Sequence, residues 1–419
     1  MPIQFNQAQL KAIYAADPNI VVVAPPGSGK TAVLCGAVQE YACLHPTHSI
    51  TAITFTRKAA TELSWKIGNS KVRTGTIHAW SWHQLDKLGA KYGFSVEVME
   101  EDEMRRIMQK IAYQKNLKFV NIYQLYNYIV GNVKTLDLDE NIVKKYEKIK
   151  AHYIQYKQDN GLYDFTDLPQ YLLNVLNEYD EEIYDIDAFF VDEFQDVDIV
   201  QFEIFNKICA RKKFYIGDFR QSIYGFNGAL EDIFERLSNA GFKIYNLEVN
   251  YRSKQSIMDV ADSFRDSYEG KECFITDLRY LRRSEIVCDR GPGGNVYFID
   301  KNGYCLTAGN AEYDDPRYIV RYLLGMPGTM VLCRTNKQVR KFQALGIDNC
   351  STVHQAKGLE YDNVILVDMI VDNIEELNIA YVGMTRARNE LCVINYEYFL
   401  SILNTTTIEK PKTTKNTLF

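Results

Sequence analysis

The chain has 419 residues, 46% of them hydrophobic and 24% charged, which is globular composition at a length sufficient for two to four domains. No apolar run approaches ~18 residues, so no transmembrane helix is expected, and MPIQFNQAQLKAIY lacks the charged-then-apolar pattern of a leader. Nine cysteines without a CxxC pair argue against a metal site or a disulfide framework, and the net charge of −6 leaves nucleic-acid binding to local basic surface.

Phe5 to Ile13 (FNQAQLKAI) has helical spacing, with Phe5, Leu10 and Ile13 on one stripe. The amide of Gln9 can bond both a donor and an acceptor on an adenine edge. Ile20 to Val23 is a short β-branched run, read as a buried strand. It passes through Pro25 and Pro26 into Gly27-Ser28-Gly29-Lys30-Thr31, and helical composition follows from Ala32 to Tyr41. Strand, glycine loop and helix form the context of a phosphate-binding loop. Gly27 and Gly29 let backbone N–H groups turn toward phosphate oxygens, and the helix N-terminus adds its dipole. Lys30 reaches the β- and γ-phosphates, and the Thr31 hydroxyl suits Mg²⁺. Ala24 stands where the strict pattern has glycine, and the alternative is a tight turn with an accidental GKT.

Ser49 to Thr56 is a second strand, carrying Phe55, and a helix begins near Arg57. Lys71 to Ile77 is a third strand-like piece, leading into His78. The alternation predicts a parallel sheet wound with helices. Leu85 to Asp159 reads as a helical insertion, closed by Gly161 to Leu168. Ala188 to Val191 is a buried strand ending in Asp192-Glu193-Phe194-Gln195-Asp196. Asp192 is placed to hold Mg²⁺ and Glu193 to polarise an attacking water, although acids at a strand end also serve as caps. Lys213 to Ile216 ends the same way, in Gly217-Asp218-Phe219-Arg220-Gln221. A helix from Lys254 to Tyr268, a turn-rich segment at Arg290 to Gly294, and strands at Thr329–Cys333, Val364–Val367 and Leu391–Ile394 suggest a second parallel sheet. Asn404 to Phe419 reads as a flexible tail.

Together these segments resemble the superfamily 1A DNA helicases of the UvrD/Rep/PcrA type. The motifs appear in that family's order: FNQAQLKAI, APPGSGKT, ITAITFTRKAATEL, TGTIHAW, DFTDL, VDEFQDVD, IGDFRQSIYGFNGA, LEVNYRS, TVHQAKGLEYDNVIL and AYVGMTRAR. The Ala24 departure is shared with the family. The resemblance implies an α/β fold of two RecA-like P-loop NTPase domains. The first is residues 1–84 and 160–246, interrupted by a helical 1B-like insertion at 85–159, and the second is residues 247–403. ATP and Mg²⁺ are the implied ligands. Gln9, Gly27, Ser28, Gly29, Lys30, Thr31, Tyr251 and Glu360 would bind nucleotide, and Thr31 and Asp192 the metal. Lys30, Glu193, Gln221, Arg252 and Arg386 fall on the catalytic positions, with the two arginines converging on one phosphate, a suitable device for phosphoryl transfer.

On the DNA side the resemblance points to Phe55, Thr76, His78, Phe226, Arg334, Asn336 and His354. Aromatic rings there would stack on bases without reading sequence. Phe226 stands in place of the family's usual Trp and Asn227 in place of an Arg, which implies a weaker or shifted grip. Phe55 also suits a strand core, and His354, expected between a strand and a helix, also suits a cap. Only Gly346 to Cys350 separate the helix from Asn336 to Leu345 from the next motif, too little for the 2B subdomain that larger relatives insert there. A compact member without 2B is therefore expected, its wedge supplied by the 85–159 insertion, by the Asp277–Asp315 region or by a partner. The implied activity is ATP-driven 3′→5′ translocation on single-stranded DNA, with unwinding at single-strand/duplex junctions. A protein-displacing translocase that unwinds little, or an inactive DNA-binding scaffold, are the alternatives. A loading or accessory protein is an expected partner and a membrane is not. The implied compartment is the cytoplasm, or a host cytoplasm for a viral source.

Overall fold

The computed structural model describes residues 4–117, 120–130, 140–223, 232–266, 268, 273–274, 284–309, 313 and 315–403. Phe226 and the 404–419 tail lie outside the described residues. Asn6 opens the first helix, α1 (Gln7–Ile13), with a capping box: its side chain accepts from the Gln9 N–H, and the Gln9 side chain accepts from the Asn6 N–H. That box turns Gln9 inward, so the positions three and four residues on, Ala12 and Ile13, are buried with it. Leu10 is off this face and exposed, unlike the stripe expected from spacing.

Next come β1 (Asn19–Val23), α2 (Lys30–Leu44), β2 (Ile50–Thr54), α3 (Arg57–Ile67), β3 (Val72–Thr76) and α4 (Ile77–Tyr92). The helices α5 (Glu101–Gln114), α6 (Ile122–Ile129), α7 (Glu140–Asn160) and α8 (Leu168–Glu178) follow. Then come β4 (Ala188–Val191), α9 (Ile199–Asn206), β5 (Lys212–Gly217), α10 (Ile233–Asn239) and β6 (Lys243–Asn246). The six strands are ordered β3-β2-β4-β5-β1-β6. β2 pairs in parallel with β3 and β4, as β1 does with β6. β2 and β4 are buried at every position, the mark of a parallel sheet covered on both faces. Between α4 and α8, helices α5 to α7 close on a core of their own, built on Met104, Met108, Ile111, Leu125, Tyr146, Ile149 and Tyr153.

The rest of the chain contributes β7 (Val249–Asn250), α11 (Gln255–Asp266), β8 (Cys273–Phe274), β9 (Val287–Cys288), β10 (Asn295–Ile299), β11 (Cys305–Gly309) and α12 (Pro316–Gly325). β12 (Thr329–Cys333), α13 (Asn336–Ala344), β13 (Cys350–Thr352), β14 (Tyr361–Val367), β15 (Ile370–Val371), α14 (Ile374–Met384), β16 (Ala387–Ile394) and α15 (Tyr396–Leu403) complete it. The second sheet runs β11-β10-β16-β14-β12-β13 and is parallel except for the β10–β11 hairpin at its edge. Alternation along its strands divides the core. Val296, Phe298, Val364, Leu366, Leu391 and Val393 face α11 and α14. Tyr297, Ile299, Ile365, Val367, Cys392 and Ile394 face α12, α13 and α15. This is the two-sheet α/β class the sequence implied, with the antiparallel edge hairpin as an addition.

Two compact units share the chain. One comprises Met1–Ala37, Glu193–Asp196 and Phe214–Phe419, the other Val38–Asp192 and Val197–Lys213.

Candidate functional site

In the first unit the loop after β1 folds back on itself, the Ser28 hydroxyl donating to the Pro25 carbonyl at 2.7 Å. Gly27 has φ of 68°, in the left-handed region. A Cβ there would lie 2.7 Å from the Arg252 Cβ and 2.9 Å from the Asn250 Oδ1, so the loop packs directly against the Asn250–Ser253 segment with no room for a side chain. Asn250, wholly buried, joins them: its Nδ2 donates to the Pro26 carbonyl at 2.7 Å, and its Oδ1 accepts from the Arg252 and Ser253 N–H groups, each at 2.7 Å. The Tyr251 N–H donates to the Gly27 carbonyl at 2.9 Å. Lys30 and Thr31, half-buried, begin α2. Gln9 donates through Nε2 to the Ser28 carbonyl at 2.9 Å, and the Tyr251 hydroxyl accepts from Asn6 Nδ2 at 2.7 Å.

Glu193 follows Asp192 with φ of 52°, a strained backbone for a side-chain-bearing residue. Burial alone would raise its carboxyl pKa, but the charges of Lys30, Lys357 and Arg386 and the Gln195 amide hold it below the ordinary carboxylate range. Burial raises Asp196 to about 6, against the opposing charge of Lys357. Asp196 Oδ2 receives the Lys357 ammonium at 2.6 Å, whereas its Oδ1 is buried and makes no hydrogen bond among the described residues. Asp218 accepts from Gln221 Nε2 at 2.8 Å and from Arg220 Nε at 2.9 Å. Burial would raise the Asp218 carboxyl as well, and the Arg220 and Lys30 charges bring it below its usual value.

Arg386 is 1% exposed, and among the described residues its guanidinium donates to neutral acceptors: the Val382 carbonyl at 3.0 Å, the Gln221 Oε1 at 3.1 Å, the Leu359 carbonyl at 3.3 Å and the Thr385 hydroxyl at 3.4 Å. Burial and the neighbouring Arg252 charge lower its pKa to about 9, leaving it cationic at neutral pH. Arg252 donates from Nε to Glu360 at 2.8 Å and from Nη1 to the Thr385 carbonyl at 3.1 Å. Glu360 also receives Arg388. Burial raises the Glu360 carboxyl, but these arginines bring it below its ordinary value.

Gln9, Gly27–Thr31, Glu193, Gln221, Tyr251, Arg252, Glu360 and Arg386 thus all belong to one unit. Asp192, buried at the end of β4, belongs to the other, where its N–H donates to the Ile53 carbonyl at 2.9 Å. A glycine loop opening a helix, a lysine, a carboxylate and a guanidinium whose acceptors among the described residues are neutral have the chemistry to hold a phosphoryl group and a water beside it.

The residues expected on the DNA side are divided between the units. Phe55 lies one residue past β2 and is half-buried. Thr76 is buried and caps α4, its hydroxyl accepting from the Ala79 N–H at 3.4 Å. His78 stacks on Phe165 with centroids 5.7 Å apart, and the Arg57 guanidinium sits 5.3 Å from the same ring. Burial lowers the His78 pKa, with Arg57 adding to the effect and Asp164 opposing it. In the other unit Arg334 is paired with Glu376 at 2.7 Å, and Asn336 is the first residue of α13. His354 Nε2 is 3.3 Å from the Ile223 carbonyl. His354 sits in a turn between two strands, β13 and β14, rather than before a helix, because Gly358 at φ 84° ends the turn before a helix develops.

Asn250, Gln195, Asp196, Asp218 and Lys357 are the site residues that sequence reasoning left without a role. Each falls inside a quoted motif within three residues of an assigned one, and that proximity was the available signal.

Residues 5–240 match the family model described as the UvrD/REP helicase N-terminal domain, and residues 347–398 that of the UvrD-like helicase C-terminal domain. The chain is 28% identical over 81% of its length to the ATP-dependent DNA helicase Rep of Buchnera aphidicola, and the aligned part is 53% of that protein. A probable DNA helicase of Mycoplasma pneumoniae is 25% identical over 93% of this chain and 83% of its own. DNA helicase II of Escherichia coli is 28% identical over 64% of this chain and 41% of its own. The chain therefore spans about half the length of the first and third of these relatives.

Proposed function

The chain belongs to the UvrD/REP helicase family, and from that premise we propose that it is an ATP-dependent motor that moves 3′→5′ on single-stranded DNA and unwinds duplexes. In this reading the phosphate loop and Lys30 hold the triphosphate, Gln9 and Tyr251 flank the adenine, and Glu360 meets the ribose. Thr31 and Asp192 are the residues offered to Mg²⁺, which would neutralise developing phosphate charge. Glu193 takes the proton of the attacking water, Gln221 senses the γ-phosphate, and Arg252 and Arg386 stabilise the charge that develops on it. Glu360 then exchanges its arginine partners for the ribose when nucleotide binds. The observation that carries the proposal is the Arg386 guanidinium, buried against neutral acceptors while its charge and that of Lys30 act on Glu193.

DNA would engage Phe55, Thr76, His78, Phe226, Arg334, Asn336 and His354. The domain division at residues 1–84 with 160–246, 85–159 and 247–403 belongs to the same proposal, as does a compact motor without a 2B subdomain. The direct passage from α13 to β13 through residues 345–349 supports compactness.

Two variants test the catalytic assignment. Lys30→Ala should lose both turnover and nucleotide affinity, while Glu193→Gln should lose turnover and retain bound ATP. Equal loss of affinity in both would count against these roles. Unwinding of 3′-tailed against 5′-tailed duplexes tests the polarity. A DNA-stimulated ATPase that strips bound protein without unwinding either substrate would favour the translocase alternative.

A further inference from the structure

A buried side chain stands between Glu193 and the γ-phosphate-sensing segment. Gln195 is 0% exposed. Its Nε2 donates to Glu193 Oε2 at 2.6 Å, and its Oε1 accepts from the Asp218 N–H at 2.9 Å. A backbone N–H can only donate, so the second contact fixes the amide orientation and directs the NH₂ group at the carboxylate. Gly217 makes the approach possible: a Cβ there would lie 2.4 Å from Gln195 Oε1 and 3.0 Å from the Gln195 nitrogen. The Ser222 hydroxyl donates to the Gln195 carbonyl at 3.1 Å, holding the backbone from the other side.

The chain of bonds does not stop at Asp218. Its Oδ2 accepts from Gln221 Nε2 at 2.8 Å, and Gln221 Oε1 accepts from Arg386 Nη2 at 3.1 Å. Glu193, Gln195, Asp218, Gln221 and Arg386 are therefore joined in one hydrogen-bonded series within one compact unit.

We infer that Gln195 is a positioning residue for hydrolysis, fixing one oxygen of the Glu193 carboxylate and tying that base to the Gln221–Arg386 pair. The inference rests on the reading of Glu193 as the base. A neutral amide suits the task, because it donates to a carboxylate without titrating and without adding a charge beside it. The left-handed backbone at Glu193 makes such a restraint useful, since local propensity does not favour that conformation. Bonding to Gln221 and Arg386 makes the orientation of the base responsive to the groups that meet the γ-phosphate.

The test is the pH profile of DNA-stimulated ATPase in the full chain carrying Gln195→Glu, Gln195→Leu or Glu193→Gln. Gln195→Glu keeps the shape and the acceptor for the Asp218 N–H, but sets a second carboxylate against Glu193. A like charge raises the pKa of one member of such a pair, so the acid limb of kcat should move up by about one unit or more, with activity recovering at higher pH. KM for ATP should stay within about threefold, and Gln195→Leu should lower kcat by roughly 10- to 100-fold with little change in KM. A Gln195→Glu profile superimposable on the unaltered chain, or a loss uniform across pH, would overturn the inference whether or not Gln195→Leu folds. Substantial turnover in Glu193→Gln would instead overturn the base assignment, and this inference with it.

Discussion

Lys357 Nζ lies 2.6 Å from Asp196 Oδ2 and donates again, at 2.9 Å, to the Gln221 carbonyl, joining the segment after β4 to the turn after β13. Both side chains are nearly inaccessible, at 9% and 1% exposure. The pair is flanked by the Glu193 carboxylate, whose charge works against ionisation of Asp196. Desolvation and attraction therefore oppose each other at one carboxyl, and burial wins in direction.

The consequence is measurable as stability against pH. Asp196 sits at about 6 in the fold, above its ordinary 3.8. Folding thus favours the protonated acid, a contribution complete below about pH 4 and lost as pH rises through 6. Asp196→Asn removes the titration. The stability of the unaltered chain minus that of Asp196→Asn should therefore fall by roughly 2–3 kcal/mol between pH 4 and pH 8. Urea unfolding at the two pH values measures it, and a difference that grew with pH would show that Lys357 outweighs burial.

Gly27→Ala should be severe for two reasons that act together. The left-handed backbone costs a side-chain-bearing residue about 1–2 kcal/mol. The added methyl would also meet Arg252 and Asn250 at 2.7 and 2.9 Å, pushing the loop off the segment that presents Arg252. ATP affinity is expected to fall more than about tenfold, alongside the loss in stability. Gly75, whose added Cβ would meet nothing within 4 Å, is the control, and Gly75→Ala should bind nucleotide normally in the same titration.

Arg386→Lys keeps the charge and loses the fork. A lysine can satisfy one of the acceptors at Val382, Gln221 and Leu359 but not all three, and it cannot span from Gln221 to a phosphate as a planar guanidinium can. Turnover should drop by about 10³-fold or more, with nucleotide binding reduced far less. Single-turnover ATPase with a parallel binding titration separates the two effects. Turnover within a few-fold of normal would show that charge alone suffices at this position.

What the sequence made legible was the chemistry carried by residue type at fixed local spacing. The GSGKT loop, the β-branched strand before it and the acids at the end of β4 each declare themselves within a dozen residues, and all stand where read. Bonds that close over long separations stayed hidden. Asn250 reaches the Pro26 carbonyl across 224 residues, and Gln195 meets the Asp218 N–H across 23. Periodicity places neither, because both contacts depend on how strand ends meet in the finished sheet. Leu10 shows the same limit, since the inward turn of Gln9 in the capping box decides which face of α1 is buried. The β10–β11 hairpin was missed because β11 reads CLTAG, in which a Thr and a Gly break the apolar run that marks the other strands of the sheet.

Lys157 anchors the segment that carries Phe165. Its ammonium donates to Asp164 Oδ2 at 2.7 Å and to both oxygens of Asp167, at 2.6 and 2.7 Å, and the Tyr153 hydroxyl adds a bond to Asp164 at 2.9 Å. Lysine and Asp164 are almost fully buried, at 8% and 1% side-chain exposure. Removing the cation leaves the buried Asp164 carboxylate uncompensated and facing that of the partly exposed Asp167, so Lys157→Met should cost about 3–5 kcal/mol. The local effect should reach further, because Phe165 lies between these acids in sequence and stacks on His78 and under Arg57. Stimulation of ATPase by single-stranded DNA should weaken, while basal turnover and ATP affinity, whose assigned residues apart from Asp192 belong to the other unit, hold. Adding Asp164→Asn and Asp167→Asn removes the facing charges and should recover most of the stability. If Lys157→Met loses stability and still responds fully to DNA, the Arg57–Phe165–His78 stack is only structural, and the DNA contact assigned to His78 fails.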